Sequence, residues 1–395
     1  MSGVGSPVRV VATRLVRPSR AAVTVGFVGT YPPTRCGIAT FNASLRAAVA
    51  APRSGVVAVV STPRATEFGP EVIAEIPPGS PQLLAQAAAA LDPFDVVVLQ
   101  HEFGIYGGPD GCEILELVRR LHAPAVIVLH TVLMSPTRQQ QEIIERLGEG
   151  ARILVVQSQA AKSALLRSYR VDPSRVWVIP HGAPLNFELS PLRRSNRRPL
   201  VLTWGLLGPG KGIEYAIEAI ASVRDLTPAP RYLVHGQTHP HVAEREGEAY
   251  REALVDLTKR LGVSDLVEFD DRYADTAAVL ALVRDSDLVL LPYRSREQVV
   301  SGVLVEALAS GKPVVATSFP HAVELVSEGS GILVPHDDPA AIARALRLLL
   351  TDPTLAAQAS TVARRQAETF RWENVGRRYR DLAASLVVRR AAVAS

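Results

Sequence analysis

The chain has 395 residues, too many for one ordinary domain and comfortable for two. Hydrophobic residues make up 47% and charged residues 21%, a globular composition, and no apolar run of about 18 residues is present to span a membrane. The net charge of +4 is too small and too spread to argue for nucleic acid, which calls for a concentrated basic face.

In chain order, residues 1–22 carry Arg9, Arg14, Arg17 and Arg20 among broken apolar runs. They lack the apolar region of a signal peptide and read as a disordered basic arm. The alternative is peripheral contact with acidic lipid at the inner face of a membrane. Cys36 and Cys112 make neither a disulfide framework nor a metal-ligand spacing, and they fit a reducing cytoplasm.

From residue 23 onward, short apolar runs alternate with helical patterns. VTVGFVG (23–29), GVVAVV (55–60), DVVVLQ (95–100), AVIVLH (125–130), the run within 151–157 and RVWVIP (175–180) read as buried parallel strands. Residues 185–199 are polar and basic with prolines, and they read as a linker. The pattern then restarts with PLVLTW, RYLVHG, DLVEFD, DLVLLP, PVVAT and GILVP. The expected fold is α/β: two Rossmann-like domains, 23–184 and 200–370, facing each other across a cleft. Helices fill the C-terminal part from Pro339, with 371–395 as a tail.

In open α/β sheets ligands sit beyond the carboxyl ends of the strands, so the residues just after each strand are the candidates. The first strand leads into TYPPTRCGIATF, where Gly37 opens a helix and permits close approach of a phosphate or sugar. The next candidate edge is QHEFGIYGG, with Gln100, His101 and Glu102. It is not a zinc HExxH, because Ile105 stands where the second His belongs. His130-Thr131 and His181-Gly182 end two further strands. His235, His239 and His241 cluster in sequence, but no carboxylate or cysteine completes a convincing metal set. They read as a polar loop.

GLLGPGKG (205–212) matches a P-loop except at its last position, where Gly212 replaces Ser or Thr. Without that hydroxyl a Mg²⁺-dependent nucleotidase is disfavoured. Glycine there is expected to let the chain pass close to phosphates while Lys211 supplies charge. Downstream, Ser301-Gly302 starts a helix whose free N–H groups form a ready anion site. Glu306 lies one turn in, where a carboxylate suits the vicinal diol of a ribose.

These motifs in this order resemble the retaining glycosyltransferases of family 4, which have the GT-B fold. The resemblance runs from the Gly37 loop through QHE, LHT, IPHG, the lysine loop, the Glu306 helix and PVVAT to Phe370 and Trp372. GQTHP and FPHAVEL look like the mannosyltransferase-like branch. The resemblance implies a cytoplasmic transferase moving a hexosyl group, mannosyl from GDP-mannose in preference to a UDP-sugar, onto a glycan or lipid-linked acceptor in polysaccharide biosynthesis. It implies that Lys211 and the N–H groups of Gly302, Val303 and Leu304 bind the donor diphosphate. It also assigns Ser301 and Gln298 to the donor segment and Glu306 to the ribose. His130 and Gly37 would meet the donor sugar, and His101 with Glu102 the acceptor. The catalytic candidates are therefore His130 and His101.

The resemblance implies retention without a covalent carboxylate nucleophile, and it implies no cofactor and no essential metal. Two departures stand out. Gln298 replaces the first of two common glutamates, a mark of the branch. The arginine that partners the lysine is missing, with Leu206 in its usual place and Gly208 in the branch's alternative. Arg294 or Arg296 is the candidate substitute. The competing readings are a non-catalytic sugar-nucleotide or glycan-binding protein and a phosphorylase of the same fold.

Overall fold

The computed structural model describes residues 23–61, 67–187, 197–272 and 274–394. The basic arm at 1–22 and the linker residues 188–196 lie outside them. The first domain contains β1 (Val25–Gly29), α1 (Gly37–Val49), β2 (Ser54–Val59), β3 (Val72–Ile76), α2 (Pro81–Leu91), β4 (Val96–His101), α3 (Ile114–Arg120), β5 (Ala125–Leu129), α4 (Arg138–Gly150), β6 (Ile153–Val156), α5 (Gln159–Ser168) and β7 (Val176–Val178). Its seven strands lie in the order β3-β2-β1-β4-β5-β6-β7, and the pairs are parallel.

The second domain contains β8 (Leu200–Trp204), α6 (Ile213–Ala221), β9 (Arg231–His235), α7 (Pro240–Glu246), α8 (Ala249–Leu261), β10 (Val267–Asp270), α9 (Thr276–Asp285), β11 (Leu288–Leu291), α10 (Gly302–Ala309), β12 (Val314–Thr317), α11 (Pro320–Val326), β13 (Gly331–Val334) and α12 (Pro339–Thr351). Its six parallel strands run β10-β9-β8-β11-β12-β13. In both sheets the order reverses between the first and fourth strands. The loops after β1 and β4, and after β8 and β11, therefore flank the two switch-point crevices.

Helices on both faces bury these strands, which explains their continuous Val/Ile/Leu runs. Phe27, Leu99, Ile127, Val201 and Leu290 are all fully buried. Each such side chain contributes about 1.5–3 kcal/mol relative to exposure.

The sequence reading omits β3. Only Ile76 of its VIAEI run is fully buried, and Ile73 is solvent-exposed at this sheet edge.

The C-terminal helices α13 (Pro353–Phe370) and α14 (Trp372–Ala394) do more than trail the second domain. Val375, Tyr379, Leu382 and Leu386 of α14 are buried in one cluster with Phe27, Phe41 and Val98 of the first domain. Gly376 makes the crossing close: a Cβ there would lie 2.2 Å from the Ala48 carbonyl oxygen. Arg380 then donates to the carbonyls of Ala48 and Val49 at 2.6 and 3.0 Å, satisfying the C-terminal end of α1.

Two further contacts tie the domains together. The Glu324 carboxylate of α11 accepts the N–H groups of Gln159 and Ala160 at the start of α5, at 3.0 and 2.8 Å. Ser158 Oγ donates to the Val299 carbonyl at 2.6 Å, and the Val299 side chain is buried in the first domain's core.

Candidate active site

The lysine loop begins where β8 ends. Pro209–Lys211 forms one 3-10 turn, and Gly212 closes it in the left-handed conformation at φ 62°. A Cβ on Gly212 would lie 2.1 Å from the Pro292 carbonyl oxygen. Glycine is thus required by the turn and by close approach to the end of β11, which corrects the expectation that it makes room for phosphate. The Arg294 N–H donates to the Gly210 carbonyl at 3.0 Å and fixes the loop from the other side. Lys211 Nζ lies 4.1 Å from the Tyr293 ring centroid, an orienting contact for a half-buried ammonium.

Across the same crevice, Ser301 caps α10. Its hydroxyl accepts the Leu304 N–H at 3.2 Å, and its own N–H donates to His321 Nδ1 at 2.9 Å. Leu304 was expected to offer its N–H to a ligand. That N–H is already taken by the cap, and Leu304 is fully buried. Gly302 and Val303 are half-buried and belong to the first turn, where backbone donors lack intrahelical partners. Gln298 donates from Nε2 to the Val300 carbonyl at 3.0 Å, so its amide nitrogen shapes the loop.

Glu306 is half-buried, and one carboxylate oxygen accepts the Trp204 indole N–H at 3.3 Å. Burial pushes its pKa up to about 7, against a smaller downward pull from that hydrogen bond.

On the first domain's side, Gly37 is the exposed first residue of α1, and a Cβ built there meets nothing within 4 Å. Packing within the protein therefore gives no reason for glycine at that place. Cys36 caps the helix, accepting the Ala39 N–H through Sγ at 3.4 Å.

His130 follows β5. Its Nε2 is 2.9 Å from Gln100 Oε1, Gln100 Nε2 donates to Asn42 Oδ1 at 3.4 Å, and Asn42 Nδ2 donates to the Thr30 carbonyl at 3.3 Å. This relay assigns the proton to Nε2 and leaves Nδ1 as an acceptor. Burial, with smaller contributions from His181 and His101, pulls the His130 pKa down to about 3, so the ring is neutral at ordinary pH.

Aromatic rings join the two sides. Phe41 of α1 lies 4.8 Å from the His130 ring and 4.9 Å from the His181 ring. His181 Nε2 would lie 3.1 Å from a Cβ on Gly302. The His181 Nδ1 proton goes to the Gly182 carbonyl at 2.7 Å, so Nε2 is an acceptor beside the start of α10. Gly37, Phe41, His130, His181 and Gly302 are thus one continuous set of neighbours.

His101 does not join them. It is the last residue of β4, fully buried, with neither ring nitrogen hydrogen-bonded. Burial pulls its pKa to about 4. Its backbone matters instead, since its carbonyl accepts the His130 N–H at 3.0 Å. The expectation of a catalytic His101 is corrected accordingly: the strand's alternation turns its ring into the protein against Phe103. Glu102, next in line, is half-buried and accepts the Thr131 hydroxyl.

Arg294 and Arg296 are exposed beside the lysine loop. Arg294 Nε lies 3.4 Å from Asp337 and Nη1 lies 3.8 Å from Glu214, while Arg296 Nη2 lies 3.2 Å from Asp337. Leu206 is 41% exposed where the arginine was expected. Among the described residues no group of three or more His, Cys, Asp or Glu is arranged to hold a metal. The side chain of His241 lies outside those residues.

Sequence reasoning missed Asn42, Phe41, Trp204 and His321 as parts of this region. Asn42 left a signal as a polar residue on the otherwise apolar face of α1, and His321 lay within the FPHAVEL run but was given no role there.

Comparison with known proteins adds two family matches. Residues 34–187 match the model described as Glycosyltransferase Family 4, and residues 187–366 match Glycosyl transferases group 1. The D-inositol 3-phosphate glycosyltransferase of Corynebacterium glutamicum (strain R) is 31% identical over 251 residues, 60% of this chain and 58% of that one. That of Salinispora arenicola (strain CNS-205) is 33% identical over 239 residues, 56% and 52% of the two chains. The chain thus spans between half and three-fifths of the length of these curated relatives. Anabaena Alr3699/HepE, in a crystal structure with UDP and glucose, superposes with a TM-score of 0.74 at 19% identity, covering 92% of this chain and 100% of that one. At that identity the likeness concerns the fold.

Proposed function

From a chain that belongs to the glycosyltransferases of group 1 and family 4, with matches running together from residue 34 to 366, we propose a transferase that moves a hexosyl group from a UDP-sugar to an acceptor hydroxyl with retention. The reading is supported by the placement of Lys211 after β8 and of α10, with Glu306, after β11, the two strands at the switch point. The chain of neighbours from Gly302 through His181 and Phe41 to neutral His130 supports it as well. Lys211 and the N–H groups of Gly302 and Val303 hold the diphosphate and stabilise the charge that grows on it as the glycosidic bond breaks. Ionised Glu306 accepts the ribose hydroxyls. His130 Nδ1 accepts a hydroxyl of the donor sugar, and Gly37 lets the α1 loop approach the same sugar.

The acceptor hydroxyl attacks the face from which the diphosphate leaves, and the leaving phosphate takes the acceptor's proton. Lysine and backbone amides carry the phosphate charge, so the reaction proceeds without a divalent metal.

The donor proposed here departs from the GDP-mannose expected from the sequence branch. Uridine is proposed by analogy with the UDP and glucose held by the Anabaena protein, whose likeness to this chain is one of fold. For the acceptor, the relatives' names favour a hydroxyl on a small polyol phosphate over a lipid-linked glycan.

Arg294 is proposed to stand in for the missing arginine. Its partners are exposed ion pairs worth about 0–1 kcal/mol, cheap to exchange for a diphosphate. A second reading, a sugar-nucleotide-binding protein without catalysis, draws on the exposed Leu206. Release of labelled glucose from UDP-glucose, with and without acceptor, separates the two. Transfer or slow hydrolysis supports the enzyme; tight binding with no release in either condition supports the binder.

A further inference from the structure

A cavity of 380 Å³ lies between the domains on the far side of His321, lined by residues of both. The first domain contributes Gln157 after β6 and Pro180 after β7; α11, α13 and α14 contribute His321, Gln366, Arg365 and Arg378. Gly37, His130, Lys211 and Glu306 line none of it.

Three features set this cavity apart from packing slack. Gln157 is 1% exposed, yet neither its amide oxygen nor its amide nitrogen has a hydrogen-bond partner. Gln366 donates to Leu325 and Glu328, but its buried Oε1 is likewise unpaired. Buried amide groups left in that state cost about 1–3 kcal/mol each, and native proteins rarely tolerate them without a ligand or water.

The charges are also unequally committed. Glu324 is engaged by the start of α5, and Glu328 accepts the Gln366 amide. Arg365 and Arg378 are exposed and have no ion pair among the described residues. Among the described lining residues the uncommitted groups include two guanidinium groups, one complete amide, one amide oxygen and the Nε2–H of His321, whose Nδ1 is occupied by the Ser301 N–H. Glu324 and Glu328 also line the cavity and keep their charge, with their oxygens turned to those amide N–H groups.

We propose that this cavity is a second ligand site, taking a phosphomonoester that also carries hydroxyl groups, the size of a hexose phosphate. Arg365 and Arg378 pair with the phosphate. Gln157 and Gln366 Oε1 exchange hydrogen bonds with the hydroxyls. The ligand bridges the domains, and through His321 it touches the residue that holds the start of α10. The site is independent of the reading of the donor crevice.

Thermal shift and calorimetric titration with glucose 6-phosphate test it, with glucose and inorganic phosphate as separate arms. Wild type and Lys211→Ala are expected to bind glucose 6-phosphate equally. Arg365→Ala/Arg378→Ala and Gln157→Leu are each expected to weaken it about tenfold or more, the scale of a lost charge-assisted or buried hydrogen bond. Inorganic phosphate and glucose are each expected to bind more weakly than the ester. The double variant changes only exposed side chains, so it reads out the site even where Gln157→Leu loses stability. The proposal is overturned by no binding in wild type, by undiminished binding in the double variant, by loss of binding in Lys211→Ala, or by inorganic phosphate matching the ester.

Discussion

Replacing Glu306 by Gln separates what this residue does for stability from what it does for the ligand. The structure places its pKa at about 7 against an ordinary 4.5. A carboxyl whose pKa is raised by folding is bound to its proton more tightly in the native state. Its native form is therefore favoured below pH 4.5, and that advantage disappears as pH rises through 7. By pH 8 the buried ionised carboxylate costs the fold up to about 3 kcal/mol, each pKa unit being worth 1.36 kcal/mol. Glutamine keeps an acceptor for the Trp204 indole and never ionises. The unliganded Glu306→Gln variant is thus expected to match wild type at pH 4.5 and to exceed it at pH 8. The difference in Tm should be about 5–10 °C at most, for a domain of this size. The same change removes a charged acceptor from the ribose, and UDP-sugar affinity should fall about 10–100-fold. The assay is thermal unfolding across pH, with and without UDP. A variant less stable than wild type at pH 8 would show that the burial argument is wrong; one that binds UDP normally would remove Glu306 from the donor site.

Two glycines give opposite outcomes. Gly37→Ala should leave stability within about 0.5 kcal/mol of wild type, since its Cβ meets nothing, while transfer drops by about a hundredfold from misplaced sugar. Gly212→Ala should lose at least about 1–2 kcal/mol from the left-handed backbone alone, and donor binding with it; Tm and UDP titration read both. Lys211→Ala should weaken UDP binding about tenfold or more and cost about 1–2 kcal/mol of stability at most, the scale of its half-buried contact with Tyr293. His130→Ala should lower kcat with the fold intact. Because the His130 pKa sits at about 3, the wild-type kcat profile should show no limb near pH 6.5 that the variant lacks. Activity should also survive chelator, and a strict need for Mg²⁺ or Mn²⁺ would contradict the metal-free mechanism.

Most of the second domain's six strands were legible as apolar runs closed by Gly, Pro or a polar residue, and the edge strand β10 was legible despite Glu268 because it keeps its place in the strand–helix alternation. The first domain's β3 was not, because an edge strand faces water on one side and carries Glu75 in its run. The apolar positions of α14 could be read from sequence, but nothing local says that they pack on α1 across the domain boundary.

At the site, strand-end position identified the region but not side-chain direction. His101 and Gln100 are adjacent in β4, and alternation turned the histidine inward and tied the glutamine to His130. The Leu304 N–H was lost to the cap because Ser301 serves its own helix first, a competition that a motif does not display. In sequence terms Gly212 reads as room for phosphate. The reason for glycine there is the Pro292 carbonyl, a long-range neighbour invisible from the loop itself.

The central claim is that Lys211 and the start of α10 hold a uridine diphosphate sugar. Parallel calorimetric titrations of wild type and Lys211→Ala with UDP-glucose and GDP-mannose test it most directly. The account predicts tighter binding of UDP-glucose than of GDP-mannose by wild type, and loss of most of the affinity for UDP-glucose in the variant, because the lysine acts on the diphosphate. Tighter binding of GDP-mannose, or UDP-glucose binding that ignores the lysine, would contradict it.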